Sequence, residues 1–164
     1  YRKAYKMFAV NGMLFNHESK RRGSNFVTTK VVKTAIRIKN KLENELVLGN
    51  LDSSRDWGHS SDYVNAMHLI ISQDLPDDYV VSTGETRTVR DLCNYVFSKL
   101  DLDLEKYLKT SEKFMRPEEL PYLKGDSSKI RSTLKWSPKY SFENLIDEMI
   151  NFWEENYNKE NLNY

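Results

Sequence analysis

The 164-residue chain is poor in the residues that make chemistry easy to read: one cysteine, four prolines, six glycines and three histidines. The lone Cys93 rules out an internal disulfide and suits a reducing compartment, so a cytoplasmic protein is expected. Net charge is also nearly absent, with 25 basic and 24 acidic residues balancing to +1. No global field therefore draws nucleic acid or an anionic membrane, and any anion binding must come from local clusters. No apolar run approaches the roughly 20 residues needed to span a bilayer. The opening "YRKAYKMFAV" has neither the apolar core nor the cleavage site of a signal peptide. The glycines are scattered singly, so a glycine-rich dinucleotide fingerprint is missing. His17 and His59 have no second ligand at metal spacing, and one cysteine cannot build a zinc site, so no metal centre is expected. In "YRKAYK" the register of a Tyr-x-x-x-Lys pair fails: four residues after Tyr1 stands Tyr5, and Lys6 is one too far. There is no initiator methionine, and residues 1–6 read as the tail of a helix feeding a strand. The expectation is the later part of something longer.

What the chain does have is alternation. "MFAVNGMLF" (7–15) is apolar without polar alternation, which predicts a strand covered on both faces, as in a parallel sheet. A loop over 16–25 follows. From Phe26, Val27, Val31, Ala35 and Ile38 form one helical stripe. "ELVLG" (45–49) reads as a short strand. Over 59–73 a helix is predicted, with Val64, Met67, His68 and Ile71 inward and Ser60 or Ser61 as cap. "YVVSTG" (79–84) is another buried strand. Thr88 can cap the next helix, with Asp91 in its first turn and Leu92, Val96 and Leu100 inward. A short helix falls within 125–138, and a final amphipathic one over 141–156 places Leu145, Met149 and Trp153 on its stripe. Residues 101–120 look irregular and charged, like a small lobe. The pattern is that of an α/β sheet.

In such sheets ligands lie beyond the carboxyl ends of the strands. "NHESKRRG" (16–23) occupies that place after the first strand. Its Lys20, Arg21 and Arg22 beside Gly23 could chelate phosphate, although a solvated basic loop reads the same way. Arg55, in "RDWGHSSDYV", precedes a helix whose N-terminus attracts anions. Asp56 could orient Arg55, or the two could form an ordinary structural pair. Arg116 and Glu119, three residues apart in "MRPEEL", could serve a phosphate and hydroxyl groups. His68 on an apolar stripe suggests a core residue. Cys93 has no histidine near it in sequence, which argues against a thiol nucleophile.

Taken in order, "FAVNGMLFNHESKRRGSNFVTTKVV", "LGNLDSSRDWGHSSDYVNAM" and "MRPEELPYLKGDSSKIRSTLKWSPKYSFENLIDEMI" resemble the C-terminal part of GDP-mannose 4,6-dehydratase, over about residues 1 to 155. The resemblance implies the C-terminal portion of a Rossmann-like extended short-chain dehydrogenase/reductase with a small substrate-binding lobe. Residues 1–164 would be that C-terminal half, without the N-terminal NADP-binding half. It also implies conversion of GDP-mannose to GDP-4-keto-6-deoxymannose with bound NADP, in a homo-oligomer (dimer or tetramer), with no nucleic acid or membrane partner. By resemblance His17 and Arg22 would contact NADP, the arginine-rich loop reaching a neighbouring subunit. Asn16, Lys30, Gly49, Arg55, Arg116 and Glu119 would bind GDP-mannose, Gly49 by letting the nucleotide lie close. The sequence departs from the family at Lys20, usually proline, and at Thr29, commonly arginine. No catalytic residue is expected in the chain, because the family's Tyr-x-x-x-Lys lies upstream of Tyr1, and the chain alone should not turn over. Two alternatives remain: a stand-alone GDP-sugar or nucleotide-binding module, and a related GDP-sugar reductase or epimerase.

Overall fold

The computed structural model of the chain describes residues 1–115, 118 and 120–157. A single helical turn, α1 (Arg2–Tyr5), leads to strands β1 (Asn11–Leu14) and β2 (Asn16–Glu18). Next come helix α2 (Val27–Lys39), strand β3 (Leu46–Leu48), the short strands β4 (Ser54–Arg55) and β5 (Trp57–His59), and helix α3 (Ser60–Ile71). Strand β6 (Asp78–Val81) and β7 (Arg87–Thr88) precede α4 (Val89–Lys99), α5 (Leu104–Tyr107) and β8 (Leu108–Thr110). A 3-10 turn (Glu112–Phe114), β9 (Tyr122–Leu123), α6 (Ser128–Leu134) and α7 (Phe142–Asn156) complete the described elements.

β1 runs parallel to β6, β2 to β5 and β3 to β8, while β4 lies between antiparallel β7 and parallel β9. Parallel pairs joined through helices are the α/β pattern expected from the alternation. The larger core joins α2, α4 and α7: Val31, Ala35 and Ile36 meet Leu92, Val96 and Phe97, with Leu145, Met149 and Trp153 closing from α7. The smaller core sits under β1 and β6, where Tyr63, Ala66 and Ile70 of α3 pack with Val81, Ile130 and Trp136.

The stripes predicted for α2 and α7 are buried as expected, except that Val27 is half-buried. Thr88 caps α4 in a reciprocal box with Asp91, its hydroxyl accepting from the Asp91 N–H at 3.0 Å. Four expectations are corrected. The strand expected over 7–15 is shorter and is covered on one face: Met13 is 52% exposed, and Met7 and Phe8 are exposed as well. On α3 the inward face is Tyr63, Ala66 and Ile70, and Val64, Met67, His68 and Ile71 face outward. The sheet lies on the side of the aromatic stripe, so the more aliphatic stripe is left outside, and His68 is not a core residue. The cap of that helix is His59, whose ring Nδ1 accepts the Ser61 N–H, rather than a serine. Finally, residues 101–120 are not irregular throughout, since β8 pairs with β3 in parallel. Its Leu-Lys-Thr is too short and polar to announce a strand.

Candidate functional site

A cavity of about 470 Å³ opens where β2, the N-terminus of α2, β3 and the β4–β5 segment converge. Asn16, Arg22, Lys30, Gly49 and Arg55, all singled out in the sequence, line it. The strand period decides which loop residues take part. β2 side chains alternate, so Asn16 and Glu18 face the cavity. His17 turns to the other side and stacks on Tyr63, ring centroids 4.9 Å apart. Its Nδ1 lies 2.9 Å from the Phe15 carbonyl, which only a protonated Nδ1 can satisfy. Arg22, in the loop after β2, lines the cavity, whereas His17 lies on the opposite face of β2. Arg116 and Glu119 lie outside the described residues.

Arg22 is held on several sides. Glu18, 2% exposed, pairs with its Nε at 2.9 Å. The Phe26 ring lies 3.5 Å beneath the guanidinium carbon. The Arg22 carbonyl accepts the Thr29 hydroxyl at 3.0 Å. Burial pushes the Glu18 carboxyl up, against the opposing pull of the Thr28 hydroxyl and Arg22. Thr28 donates to Glu18 at 2.8 Å, so this carboxylate ties the loop to α2. The exposed cations of the loop are Lys20 and Arg21. Lys20 reaches back to Glu148 of α7 at 3.8 Å.

Lys30 donates to the Val47 carbonyl at 2.7 Å and sits 4.1 Å from the Phe114 ring centre. Partial burial lowers its ammonium pKa. Arg55 donates to the carbonyls of Ser54 and Leu120, both at 2.8 Å, which fixes it at the cavity wall. Against Gly49 lies the protein's own backbone: a Cβ there would stand 2.3 Å from the Phe114 carbonyl oxygen. The glycine thus admits the 3-10 turn that brings Phe114 over Lys30.

Asp56 does not orient Arg55. Its carboxylate accepts the N–H and hydroxyl of Thr83, at 2.9 and 2.6 Å, and the N–H groups of Gly84 and Gly125, at 2.9 and 3.3 Å. It is a buried fastener between the loops after β6 and before α6, which corrects the expected Arg–Asp pair. Cys93 is buried inside α4, and burial pushes its thiol up to about 12. Among the described residues no cluster of metal-ligating side chains occurs, and no helix is long and apolar enough to cross a membrane.

Sequence reasoning did not find several cavity residues. The Ser53 hydroxyl and the Trp57 indole N–H are buried, line the cavity and have no hydrogen-bond partner among the described residues. Buried polar atoms are nearly always paired, and Tyr63, Ser82 and Trp153 carry others of the same kind outside this cavity. The N-terminus of α2 also lies at the cavity, and its N-cap, Phe26, offers no side-chain acceptor to the first-turn N–H groups. A 13-residue helix ending so favours an anion there.

The architecture is a Rossmann-like α/β fold. It superposes on RMD from Pseudomonas aeruginosa complexed with NADPH at a TM-score of 0.84, with 20% identity, over 94% of this chain and 51% of that one. It also superposes on dTDP-glucose 4,6-dehydratase from Bacillus anthracis in complex with NAD, at 0.82 with 18% identity, over 95% and 48%. Identities this low establish the fold alone. The sequence is more specific: the family profile described as GDP-mannose 4,6 dehydratase matches residues 1–149, and the chain belongs to that family. It is 48% identical over 150 residues to GDP-mannose 4,6 dehydratase 2 of Arabidopsis thaliana, covering 92% of this chain and 40% of that protein. It is 40% identical over 167 residues to the GDP-mannose 4,6 dehydratase of Homo sapiens, covering 92% and 45%. The chain thus spans less than half the length of these relatives.

Proposed function

We propose that the chain forms the nucleotide-sugar-binding part of a GDP-mannose 4,6-dehydratase, the enzyme that turns GDP-mannose into GDP-4-keto-6-deoxymannose with NADP. The observation that carries this reading is the cavity itself. It combines three fixed cations (Arg22, Lys30 and Arg55), an uncapped helix N-terminus, and the orphaned polar atoms of Ser53 and Trp57. A diphosphate suits the cations and the helix terminus; hydroxyl groups suit the Ser53 Oγ and Asn16. Phe26 and Phe114, each already under a cation, supply flat faces for a base.

In this division of labour the chain binds and orients. Arg55, fixed by two carbonyls, would hold the diphosphate, and Lys30, less solvated than a surface lysine, would pair with it at lower desolvation cost. NADP, when bound, would supply hydride acceptance and return. Arg22 fits one of its phosphates, since Glu18 and Phe26 hold the guanidinium in place. His17, across the strand, would meet a different part of it. The Tyr-x-x-x-Lys spacing that does occur, Tyr95 to Lys99 in α4, is taken up by Asp147, which accepts from both at 2.8 and 2.9 Å, and neither residue lines the cavity, so proton and hydride steps are not assigned to this chain. Calorimetry of the 164-residue chain with GDP tests the reading. Arg55→Ala should weaken GDP by about 1.5–3 kcal/mol, the usual worth of a hydrogen bond to a charged group. Equal affinity in the variant would remove Arg55 from the site.

A further inference from the structure

Three carboxylates are buried among the described residues: Glu18, Asp56 and Asp62, at 2%, 0% and 4% exposure. Two of them are spent on the backbone. Asp56 accepts the N–H groups of Thr83, Gly84 and Gly125, and Asp62 accepts those of Lys139 and Tyr140. Glu18 alone of the three lines the cavity, and its counter-charge, Arg22, is a cation of that same cavity. We propose that Glu18 couples anion binding to protonation: an anion that engages Arg22 enters the cavity together with one proton, which the Glu18 carboxylate takes from solvent.

The geometry makes Arg22 a partner that Glu18 can lose. The Thr28 hydroxyl, at 2.8 Å, and the Arg22 Nε, at 2.9 Å, approach the same oxygen, Oε2. Thr28 donates a hydrogen bond to it. The Arg22 contact is an ion pair without hydrogen-bond alignment, and the buried Nε–H has no acceptor among the described residues. Supplying that N–H with an acceptor relieves the desolvation penalty of an orphaned buried donor. An oxyanion in the cavity is such an acceptor. Arg22 is then shared, and a second negative charge lies beside a carboxylate that water barely reaches. Like charges so placed favour the neutral form of one of them. Glu18 is suited to be that one, since burial already pushes its carboxyl up against the pull of Thr28, Arg22 and His17. The Thr28 hydroxyl donates equally well to a neutral carboxyl, so α2 stays tied to β2 in both states.

The other charged groups around Glu18 do not stand in for Arg22. His17, on the same strand, turns to the far face and stacks on Tyr63. From β5, His59 is the Cα partner of Glu18, but its Nε2 lies 2.9 Å from Glu148 of α7, a carboxylate that Lys20 also approaches at 3.8 Å. From α3, Tyr63 is pushed up by burial, and further by Asp56, Asp62 and Glu18, so its phenol stays neutral. From α2, Lys30 lines the cavity and donates to the Val47 carbonyl at 2.7 Å.

The inference rests on reading this cavity as an anion site, not on the anion being a nucleotide. The test is a pH titration of the 164-residue chain followed by carboxyl 13C NMR, with and without sodium sulfate at constant ionic strength. The Glu18 resonance is the one lost in Glu18→Gln, and reading it directly separates this group from the imidazoles of His17 and His59. Saturating sulfate should raise the Glu18 midpoint by about one pH unit, equivalent to about tenfold tighter sulfate binding by the protonated chain. Because the anion raises the midpoint, sulfate binding should tighten as pH falls through the midpoint of the loaded chain, and level off below that of the free chain. Most of this dependence should disappear in Glu18→Gln. Arg22→Gln should raise the midpoint without sulfate and remove its response to sulfate. A midpoint unmoved by saturating sulfate overturns the proposal, and so does sulfate that leaves the amide resonances of Asn16 and Arg22 unperturbed. If GDP fails to bind in calorimetry while sulfate raises the midpoint, the nucleotide reading falls and this inference stands. If GDP binds and the midpoint stays in place, the reverse holds.

Discussion

The two cores of the molecule are built from similar residues but are finished differently. The larger has helices α2, α4 and α7 meeting one another, and its apolar faces are spent inside: Leu92, Val96, Leu145 and Met149 are buried. The smaller has one helix, α3, against the short β1–β6 pair, and it leaves Val64, Ile71 and Met13 outside, at 61%, 60% and 52% exposure. Where helices close on each other, hydrophobic period translates directly into burial. Where a helix rests on a narrow sheet, only the stripe over that sheet is buried, whatever lies on the other side.

The contrast can be broken first at its joint. Asp56 fastens the loops that follow β6 and precede α6 to the strands of the cavity. Asp56→Ala should cost about 3 kcal/mol or more in urea unfolding, because several donors are orphaned at roughly 1–3 kcal/mol each. A loss below about 1 kcal/mol would show that the loops are held by something else. Leu145→Ala, in the larger core, should cost about 2–5 kcal/mol by chemical denaturation. A smaller loss would mean that this core tolerates cavities. Thr88→Ala removes one half of the capping box that starts α4, for a loss of about 1 kcal/mol in the same assay. At the far end, Ile71→Ala on the outer face of α3 should change stability by no more than about 0.5 kcal/mol. A change as large as that of Leu145→Ala would erase the difference between the two cores.

How much of this could be read from the sequence follows the same division. α4 and α7 were legible because cap, stripe and stop are all local in the chain. The Thr88–Asp91 spacing and the Leu145, Met149, Trp153 stripe needed no partner to be recognised. α3 carries two plausible stripes, and choosing between them requires knowing which side the sheet occupies. β8 was invisible because its evidence is its pairing with β3, about 60 residues away. Within the candidate site, Asn16 and Arg55 stand out by their place after strands and by family likeness, Lys30 by family likeness alone. Ser53, Trp57, Glu18 and Phe114 did not. A serine, a tryptophan or a phenylalanine becomes informative only once the fold shows that its polar atom has no partner, or that its ring lies under a cation.

Arg55 and Asp56 also show how adjacent residues separate in role. Side chains of opposite charge next to each other in sequence suggest a pair, yet an extended backbone sends them to opposite faces. One faces the cavity, and the other is consumed by backbone N–H groups.

The strand β2 carries that logic furthest. Its pairing with β5 matches Asn16 to Trp57, His17 to Gly58 and Glu18 to His59. Which chemistry the cavity meets is therefore a matter of parity. Even-numbered positions give it an amide and a carboxylate, and the odd one sends an imidazole to the tyrosine behind. A single inserted or deleted residue before Asn16 would exchange these sets without altering composition, charge or family likeness. In this segment the inheritance that matters is the count of residues along the strand as much as their identity.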